Sequence, residues 1–442
     1  MAKKVEIEEK EGESLPLART TSLATPSSGG HPRNAPVEST IEAPYELPEG
    51  WKWIQLLDAF ENKTNSKKKL PTNEYCENGR FAVIDQGQDF IGGYSNKTEL
   101  VFDGELPVIV FGDHTKCIKY IDFAFIQGAD GIKVLKPIKP VNERYFYYGL
   151  QSINFPDLGY RRHFPIFKNY LFPLPPTIEE QQRIVNRIES MFAKLDEAKE
   201  KAQNVVDSFE TRKAAILHQA FTGTLTAKWR KENGVADDSW KIVKLEDIVK
   251  KEKYSLKAGP FGSALKKEFY IPYGYKIYGQ EQVLNSDENY GDYFINEAKY
   301  KELESCKIAP NDILISLVGT VGKTLILSDN CKPGIINPRL IKLSLDLTLM
   351  LPQFFTYYFG SDYCKSKYMT VQHGTTMDVL NMGILKQLDY PCCSLPEQQE
   401  IVRILDTVLE KERTAKSAAE QVLEQINLLK KSILTRAFRG EL

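Results

Sequence analysis

Residues 179–221 read EEQQRIVNRIESMFAKLDEAKEKAQNVVDSFETRKAAILHQAF, a run without proline or glycine that is dense in Glu, Gln, Lys, Arg, Ala and Leu. These residue types favour the helix, and their preferences add over so long a window. Pro175-Pro176-Thr177 precedes the run, with Thr177 placed to cap it, and Gly223 follows, so start and stop signals stand at its two ends. Inside it Ile184, Ile188, Met191, Leu195, Ala198, Ala202, Val205, Phe209, Arg212 and Ile216 step alternately by four and three. This is a heptad seam, polar only at Arg212.

The same text recurs towards the end of the chain. Ile401, Leu405, Val408, Glu412, Ala415, Ala419, Val422, Ile426, Leu429 and Ile433 form the same seam, polar only at Glu412, and each lies 217 residues after its counterpart. Glu180-Gln181-Gln182-Arg183-Ile184-Val185 aligns with Glu397-Gln398-Gln399-Glu400-Ile401-Val402. The ends align without a gap, Ile216 to Leu225 against Ile433 to Leu442. This is an internal repeat. An amphipathic helix of about 43 residues, ~65 Å at 1.5 Å per residue, does not leave its seam in water. The matching seam is its own repeat, so an antiparallel intramolecular pair is expected, with an intermolecular coiled coil as the alternative.

Working outward, each helix follows a strand-rich block. Phe81 to Ile84, Pro107 to Phe111 and Gly131 to Leu135 are short β-prone runs bounded by Gly, Asp or Pro, and Tyr145 to Gln151 suits a helix beneath them. The second block repeats the style with Asp312 to Ser316 and Arg339 to Leu343 as strands. Trp51, Leu56 and Asp58 match Trp240, Leu245 and Asp247, and Tyr147-Tyr148 matches Tyr357-Tyr358, but the loops between differ in length and chemistry. The expected class is α+β: two α/β domains separated by two long antiparallel helices. The expected divisions are a disordered arm over 1–46, a first domain over 47–175, a helix over 176–222, a linker over 223–239, a second domain over 240–392 and a helix over 393–442. The arm is rich in Ser, Thr, Pro, Gly, Lys and Glu, too polar to offset the entropy of ordering.

Bulk properties are permissive. Fifty-eight basic residues against 59 acidic ones give no global attraction for nucleic acid, so any such role rests on local patches. Seven cysteines without a Cys-x-x-Cys pair read as scattered reduced thiols, in keeping with a cytoplasmic protein. No apolar run reaches the roughly 18 residues of a membrane span, and the N-terminus lacks the apolar core of a signal peptide.

Two unlike domains at the ends of a stiff rod suit a linear polymer touched at two places. Duplex DNA repeats its groove about every 34 Å, so the rod spans a turn or more, and unlike domains imply an asymmetric, interrupted target. At this point the residues suggest a family. Leu47-Pro48-Glu49-Gly50-Trp51, a variable domain, Pro173-Leu174-Pro175 with Glu180 to Val185, and a helix ending Ala220-Phe221-Thr222-Gly223 resemble type I restriction-modification specificity subunits. The second pass resembles that family's second half, from Trp240 through Leu395-Pro396-Glu397-Gln398-Gln399 to Ala437-Phe438-Arg439-Gly440-Glu441-Leu442. Gly259-Pro260-Phe261-Gly262-Ser263 also resembles a stretch common in its recognition domains, whereas the N-terminal arm is outside the family pattern. The resemblance implies a non-catalytic subunit of a larger enzyme. Two methyltransferase subunits carrying S-adenosylmethionine and two restriction subunits using ATP and magnesium would join it, with no cofactor on this chain.

Catalytic patterns fail on inspection. Leu317 to Thr324 suggests a phosphate loop, but that motif needs glycine where Leu317 stands, and Leu325-Ile326-Leu327 is strand-like where a helix must begin. A glycine-containing β-hairpin is the better reading. Asn337-Pro338-Arg339-Leu340 is not the methyltransferase tetrapeptide, Pro156-Asp157 lacks the rest of a metal-nuclease motif, and the five histidines show no metal spacing. His114 has no paired nucleophile. No catalytic or metal residue is assigned.

For DNA contact, Lys67, Lys68, Lys69, Lys266 and Lys267 suit phosphates, which position without specifying. Arg161 and Arg162 late in the first domain, and Gln372 and His373 late in the second, suit base edges, Arg preferring guanine and Gln adenine. Gln86, Gln88, Tyr94, Asn96, Ser263, Tyr278 and Gln280 complete the set. Two other classes remain open: a structural coiled-coil adaptor, disfavoured because a scaffold has no need of two unlike loop sets, and a stand-alone DNA-modifying enzyme, disfavoured by the missing motifs.

Overall fold

In the computed structural model, residues 42–442 are described except 130, 158, 160, 237–238, 318–320 and 371–379. The chain divides into two compact units, the described part of Met1–Gln203 with Glu420–Leu442, and Asn204–Ala419.

The first unit opens with β1 (Lys52–Gln55), β2 (Phe60–Asn62), β3 (Phe81–Ile84), β4 (Gly93–Ser95), β5 (Val108–Gly112), β6 (Ile118–Ile121), β7 (Phe125–Gln127) and β8 (Ile132–Pro137). Helix α1 (Glu143–Ser152), strand β9 (Leu171–Leu174) and α2 (Ile178–Asp207) follow, and α3 (Phe209–Phe221) and α4 (Ala227–Glu232) lead into the second domain. That domain carries β10 (Lys241–Val243), α5 (Leu245–Ile248), β11 (Leu256–Ala258), β12 (Tyr275–Tyr278), α6 (Gln280–Asn285), β13 (Phe294–Ile295) and α7 (Glu297–Glu302). It continues with β14 (Ile313–Ser316), β15 (Thr324–Ile326), β16 (Gly334–Ile336), β17 (Leu340–Leu343), α8 (Pro352–Phe359), α9 (Asp362–Thr370), α10 (Met382–Gln387) and β18 (Tyr390–Cys392), and the chain closes with α11 (Leu395–Phe438).

The two domains share one strand plan. The sheets run β1-β9, β2-β8-β5-β6 and β4-β3-β7 in the first domain, and β10-β18, β11-β17-β14-β15 and β13-β12-β16 in the second. In both, the middle strand of the three-stranded sheet pairs antiparallel with the next strand and parallel with a later one. The expected strands and the helix at 145–151 are all present. The expected hairpin at Leu317 is β14-β15, Ile313 opposite Ile326, with residues 318–320 outside the described residues.

Helix packing within each unit is antiparallel. In the first, Asp196 meets Lys430 at 2.5 Å while Arg183 reaches the Leu442 carbonyl at 3.0 Å. In the second, Phe209 lies under the Lys416 ammonium at 4.8 Å while Arg212 pairs with Glu412 at 2.8 Å. The two polar interruptions of the seams are therefore partners of one another. The seam is closed less completely than its pattern suggests, for Ala415, Val422 and Leu429 are exposed. Each domain core takes in both a helix start and a helix end. Ile184, Val185 and Ile188 join Leu434, Ala437 and Phe438 in the first, and Ile401, Leu405 and Leu409 join Leu217, Ala220 and Phe221 in the second.

Three expectations need correction. The run 179–221 is not one helix, because Ser208 separates α2 from α3. Its hydroxyl turns back to the Asn204 carbonyl and also accepts from Arg212, so a side chain competes with the helical ladder there. The linker 223–239 is not free spacer, since α4 buries Arg230 against Glu397 at 2.7 Å. The arm boundary at Glu46 is too late. Tyr45 stacks edge-on with Trp53 at 4.8 Å and donates to the Phe438 carbonyl at 2.8 Å, while residues 1–41 lie outside the described residues. Among the described residues no helix is long and apolar enough to cross a membrane.

Candidate nucleic-acid interface

Strand β3 is buried and β-branched at Val83 and Ile84, and its chain leaves the sheet at Asp85. Asp85 accepts the Gly87 amide at 2.8 Å, a local turn that short side chains with an acceptor oxygen make, aspartate and asparagine best. The Gln86 carbonyl then accepts the Thr115 hydroxyl at 2.6 Å, and its side-chain oxygen accepts the His114 amide at 3.3 Å. These bonds fasten the 85–92 connection to the β5-β6 turn.

That turn is tied in its own right to a third segment. Asp113 is buried, and its carboxylate accepts the Phe164 amide at 2.7 Å while its carbonyl accepts the His163 amide at 2.7 Å. The buried His163 ring stands between the Asp113 carbonyl, 3.0 Å from Nδ1, and the Pro156 carbonyl, 3.2 Å from Nε2. Gln88, Arg161 and Arg162 are exposed on loops joined by this network. The surface offers amide and guanidinium groups, the donors that read adenine and guanine edges.

Other candidates are less available. Tyr278 corrects its expectation: it is fully buried, its hydroxyl donates to the Lys332 carbonyl at 2.8 Å, and burial pushes the phenol well above its usual range. Gln86 spends its side-chain oxygen inside the protein. Lys68 donates to Asp103 at 2.9 Å, Asn96 accepts the Arg80 amide at 2.9 Å, and Lys266 sits 3.7 Å from Glu268. Tyr94 packs half-buried against the core beside β3, and Lys69 is half-buried in a bridge to Gln127. Lys67, Lys267 and Ser263 are exposed. Gln280 begins α6 half-buried, and Gln372 and His373 lie outside the described residues.

The second domain builds the equivalent connection, residues 279–293 between β12 and β13, around α6. Gln282 is buried, accepting the Gly279 amide at 2.7 Å and donating to the Tyr290 carbonyl at 2.6 Å, so the loop is closed on itself. Gly259 has no room for a side chain, as a Cβ would stand 1.9 Å from the Asn337 carbonyl. That accounts for the first residue of the Gly-Pro-Phe-Gly-Ser stretch, whose Phe261 is 79 % exposed.

Sequence reading missed the supports. Asp113 stood beside His114 in a stretch already singled out, and a buried aspartate before a turn is legible only once its amide partner fifty residues on is known. Gln181 and Gln398 are the clearest case. Gln181 accepts the Asn142 amide at 2.7 Å and donates to the Pro140 carbonyl at 2.9 Å. Gln398, 217 positions later, accepts the Leu351 amide at 2.9 Å and donates to the Leu349 and Cys393 carbonyls at 2.8 Å each. The repeated Glu-Gln-Gln text is the staple between each long helix and its domain.

The model of the type I restriction modification DNA specificity domain matches residues 48–207 and again 237–425. The chain is similar to the type I restriction enzyme EcoBI specificity subunit of Escherichia coli, 24 % identical over 326 residues. That match covers 68 % of this chain and 66 % of the relative, so the chain spans just under two thirds of the relative's length. Among solved structures, a chain from work on complex assembly and conformational transition of the type I R-M system matches at a TM-score of 0.61 and 17 % identity, covering 90 % of this chain and all of that one. The HsdS subunit from Thermoanaerobacter tengcongensis matches at 0.54 and 18 %, covering 91 % and all of it. At such identities these likenesses speak to the fold.

Proposed function

The chain belongs to the type I restriction-modification DNA specificity family, and from that premise we propose that it is a non-catalytic subunit reading a bipartite, asymmetric target in duplex DNA, one half per domain. One observation carries the reading. The two domains share strand order and pairing, yet the corresponding connection is a short turn-bound loop at 85–92 in one and a helix-bearing loop at 279–293 in the other. Equal frames with unlike reading loops select unlike half-sites. Gln88, Arg161 and Arg162 serve base edges in one half. In the other, Gln280 and Ser263 together with Gln372 and His373 do so, while Lys67 of the first domain and Lys267 of the second serve the backbone.

The helical pair acts as the spacer between readers. Two methyltransferase and two restriction subunits dock on the chain and hold its S-adenosylmethionine-, ATP- and magnesium-dependent steps, and the complex works in the cytoplasm. The test is to exchange residues 240–391 for the corresponding domain of another such subunit and sequence the methylome of cells carrying the hybrid. One half of the target changes and the other stays. A change in both halves, or in neither, overturns independent reading. Adding one heptad to both long helices alters the gap between half-sites, and an unchanged gap removes the spacer role.

A further inference from the structure

Among the described residues, each domain has a buried lysine whose ammonium is held by main-chain carbonyls of a connection between strands. Lys119, on β6, is 4 % exposed, and its ammonium donates to the Asp85 carbonyl at 2.9 Å and the Asp89 carbonyl at 2.5 Å, with the Asp85 carboxylate 3.7 Å away. Lys276, on β12, is 1 % exposed, and its ammonium donates to the carbonyls of Asn289, Tyr290 and Gly291 at 3.0, 3.1 and 2.9 Å. Burial pulls the Lys276 ammonium below the usual lysine range, helped by Lys332, against the raising influence of Asp292, Asp287 and Glu288.

The two lysines are not counterparts. Lys119 stands on the edge strand of the four-stranded sheet and Lys276 on the middle strand of the three-stranded one. Yet both grip the same element of the shared plan, the connection leaving the middle strand, residues 85–92 after β3 and 279–293 after β12. A buried ammonium is a costly way to hold a fold, since an apolar side chain of similar size is often no worse for stability. What it does supply is a fixed point: main-chain carbonyls converging on one charge hold a loop in a single shape. Lys342, also buried, donates to the Lys307 carbonyl at 2.5 Å and lies 3.8 Å from buried Asp312, but it does so on β17, away from the connection that leaves the middle strand.

We infer that Lys119 and Lys276 are positioning residues for base reading, each holding the specificity loop of its own domain in register from below. The inference rests on the two-reader function above and names the loops that do the reading. Gln88 and Phe90 ride on one, Gln280 and Tyr290 on the other. Neither lysine touches DNA, so loss of either blurs one half-site without weakening backbone contacts.

The experiment uses the full-length chain at its native locus carrying Lys119→Met or Lys276→Met, with methylome sequencing and amide hydrogen exchange on the purified variants. Lys119→Met speeds exchange within 85–92 and makes one half-site degenerate, with discrimination there falling about tenfold, the size of one lost base contact. Lys276→Met does the same for 287–293 and the other half. Lys119→Arg and Lys276→Arg, which keep the charge, recover part of the discrimination. Faster exchange with both half-sites still fully specified overturns the inference while leaving the two-reader function standing, which the domain exchange tests separately. Unchanged exchange overturns it as well. Should a methionine variant fail to fold, 15N spectra of the wild-type lysine ammonium groups decide. Two slowly exchanging signals that shift with target duplex and not with a scrambled one support the inference, and signals that are absent or indifferent overturn it.

Discussion

Glu180 and Glu397 occupy one position of the repeat, 217 residues apart, and live in different worlds. Glu180 sits on the surface, bound to Arg183 one turn away at 2.8 Å, which holds its carboxyl below the usual range. Glu397 is fully buried, and a single oxygen accepts from Arg230 at 2.7 Å, Thr226 at 2.7 Å and Trp240 at 3.0 Å. Its other oxygen is buried with no hydrogen-bond partner among the described residues. Two things differ: the partner Arg183 of Glu180 is replaced by Glu400 in the second copy, and α4 is present there. After Gly223 the chain continues into a short helix that covers Glu397. The same Glu-Gln-Gln text thus becomes a solvated pair in one unit and the anchor of an interdomain segment in the other. Sequence identity at a repeat position reports ancestry, and burial decides energetics.

The largest expected effect separates the two. Glu397→Ala takes the carboxylate away from the buried Arg230 guanidinium, leaving it the Thr226 hydroxyl at 3.2 Å, and costs ~3–5 kcal/mol. Glu180→Ala removes an exposed pair and costs no more than about 0.5 kcal/mol after screening. Chemical denaturation of the two variants checks this, and equal costs would show the α4 anchor to be idle. The Glu180 pair also has a defined acid limit. Its folded pKa is depressed, so its small contribution is present above the unfolded carboxylate value and lost as pH falls through the lower folded value.

Where the two units do agree, substitution should not distinguish them by much. Gln181→Ala leaves the Asn142 amide unpaired and Gln398→Ala leaves that of Leu351, each costing ~1–3 kcal/mol, with Gln398 the larger because it also releases two carbonyls where Gln181 releases one. Hydrogen exchange reads the result at the first turns of α1 and α8. Loss of protection confined to one domain per variant confirms two separate staples, and loss in both would couple what the repeat keeps apart.

These contrasts explain what was legible beforehand. Periodicity and self-similarity need only the local chain, so the long helices, the strands at 81–84 and 340–343 and the duplication stand out from the text. Ser208 does not, because its break depends on one hydroxyl choosing the Asn204 carbonyl over solvent. Nor does the burial of Tyr278, since an aromatic beside glycine reads equally as a loop tip or a core strand. The Lys67-Lys68-Lys69 run shows the same limit: three adjacent lysines look alike in sequence, yet Lys68 is committed to Asp103 while Lys67 is exposed.

The smallest effect concerns the seam. Arg212 and Glu412 pair across the helices of the second unit, with side chains 35 % and 22 % exposed, and the equivalent positions of the first unit are Leu429 and Leu195. Glu412→Ala costs ~1 kcal/mol or less, because both side chains are partly exposed and water screens the pair. Replacing both by leucine removes two partial desolvation penalties and lengthens the apolar seam, so stability holds or rises slightly. What the pair contributes is register: a slipped pairing would bury Arg212 opposite an apolar residue, a cost two leucines do not impose. The double leucine variant should therefore unfold at an unchanged or higher denaturant midpoint while cysteine cross-linking, placed along the facing helices of the second unit, captures neighbouring registers as well as the native one. A single register in that variant would assign alignment to the domain staples at Gln181 and Gln398 and leave the ion pair without a role.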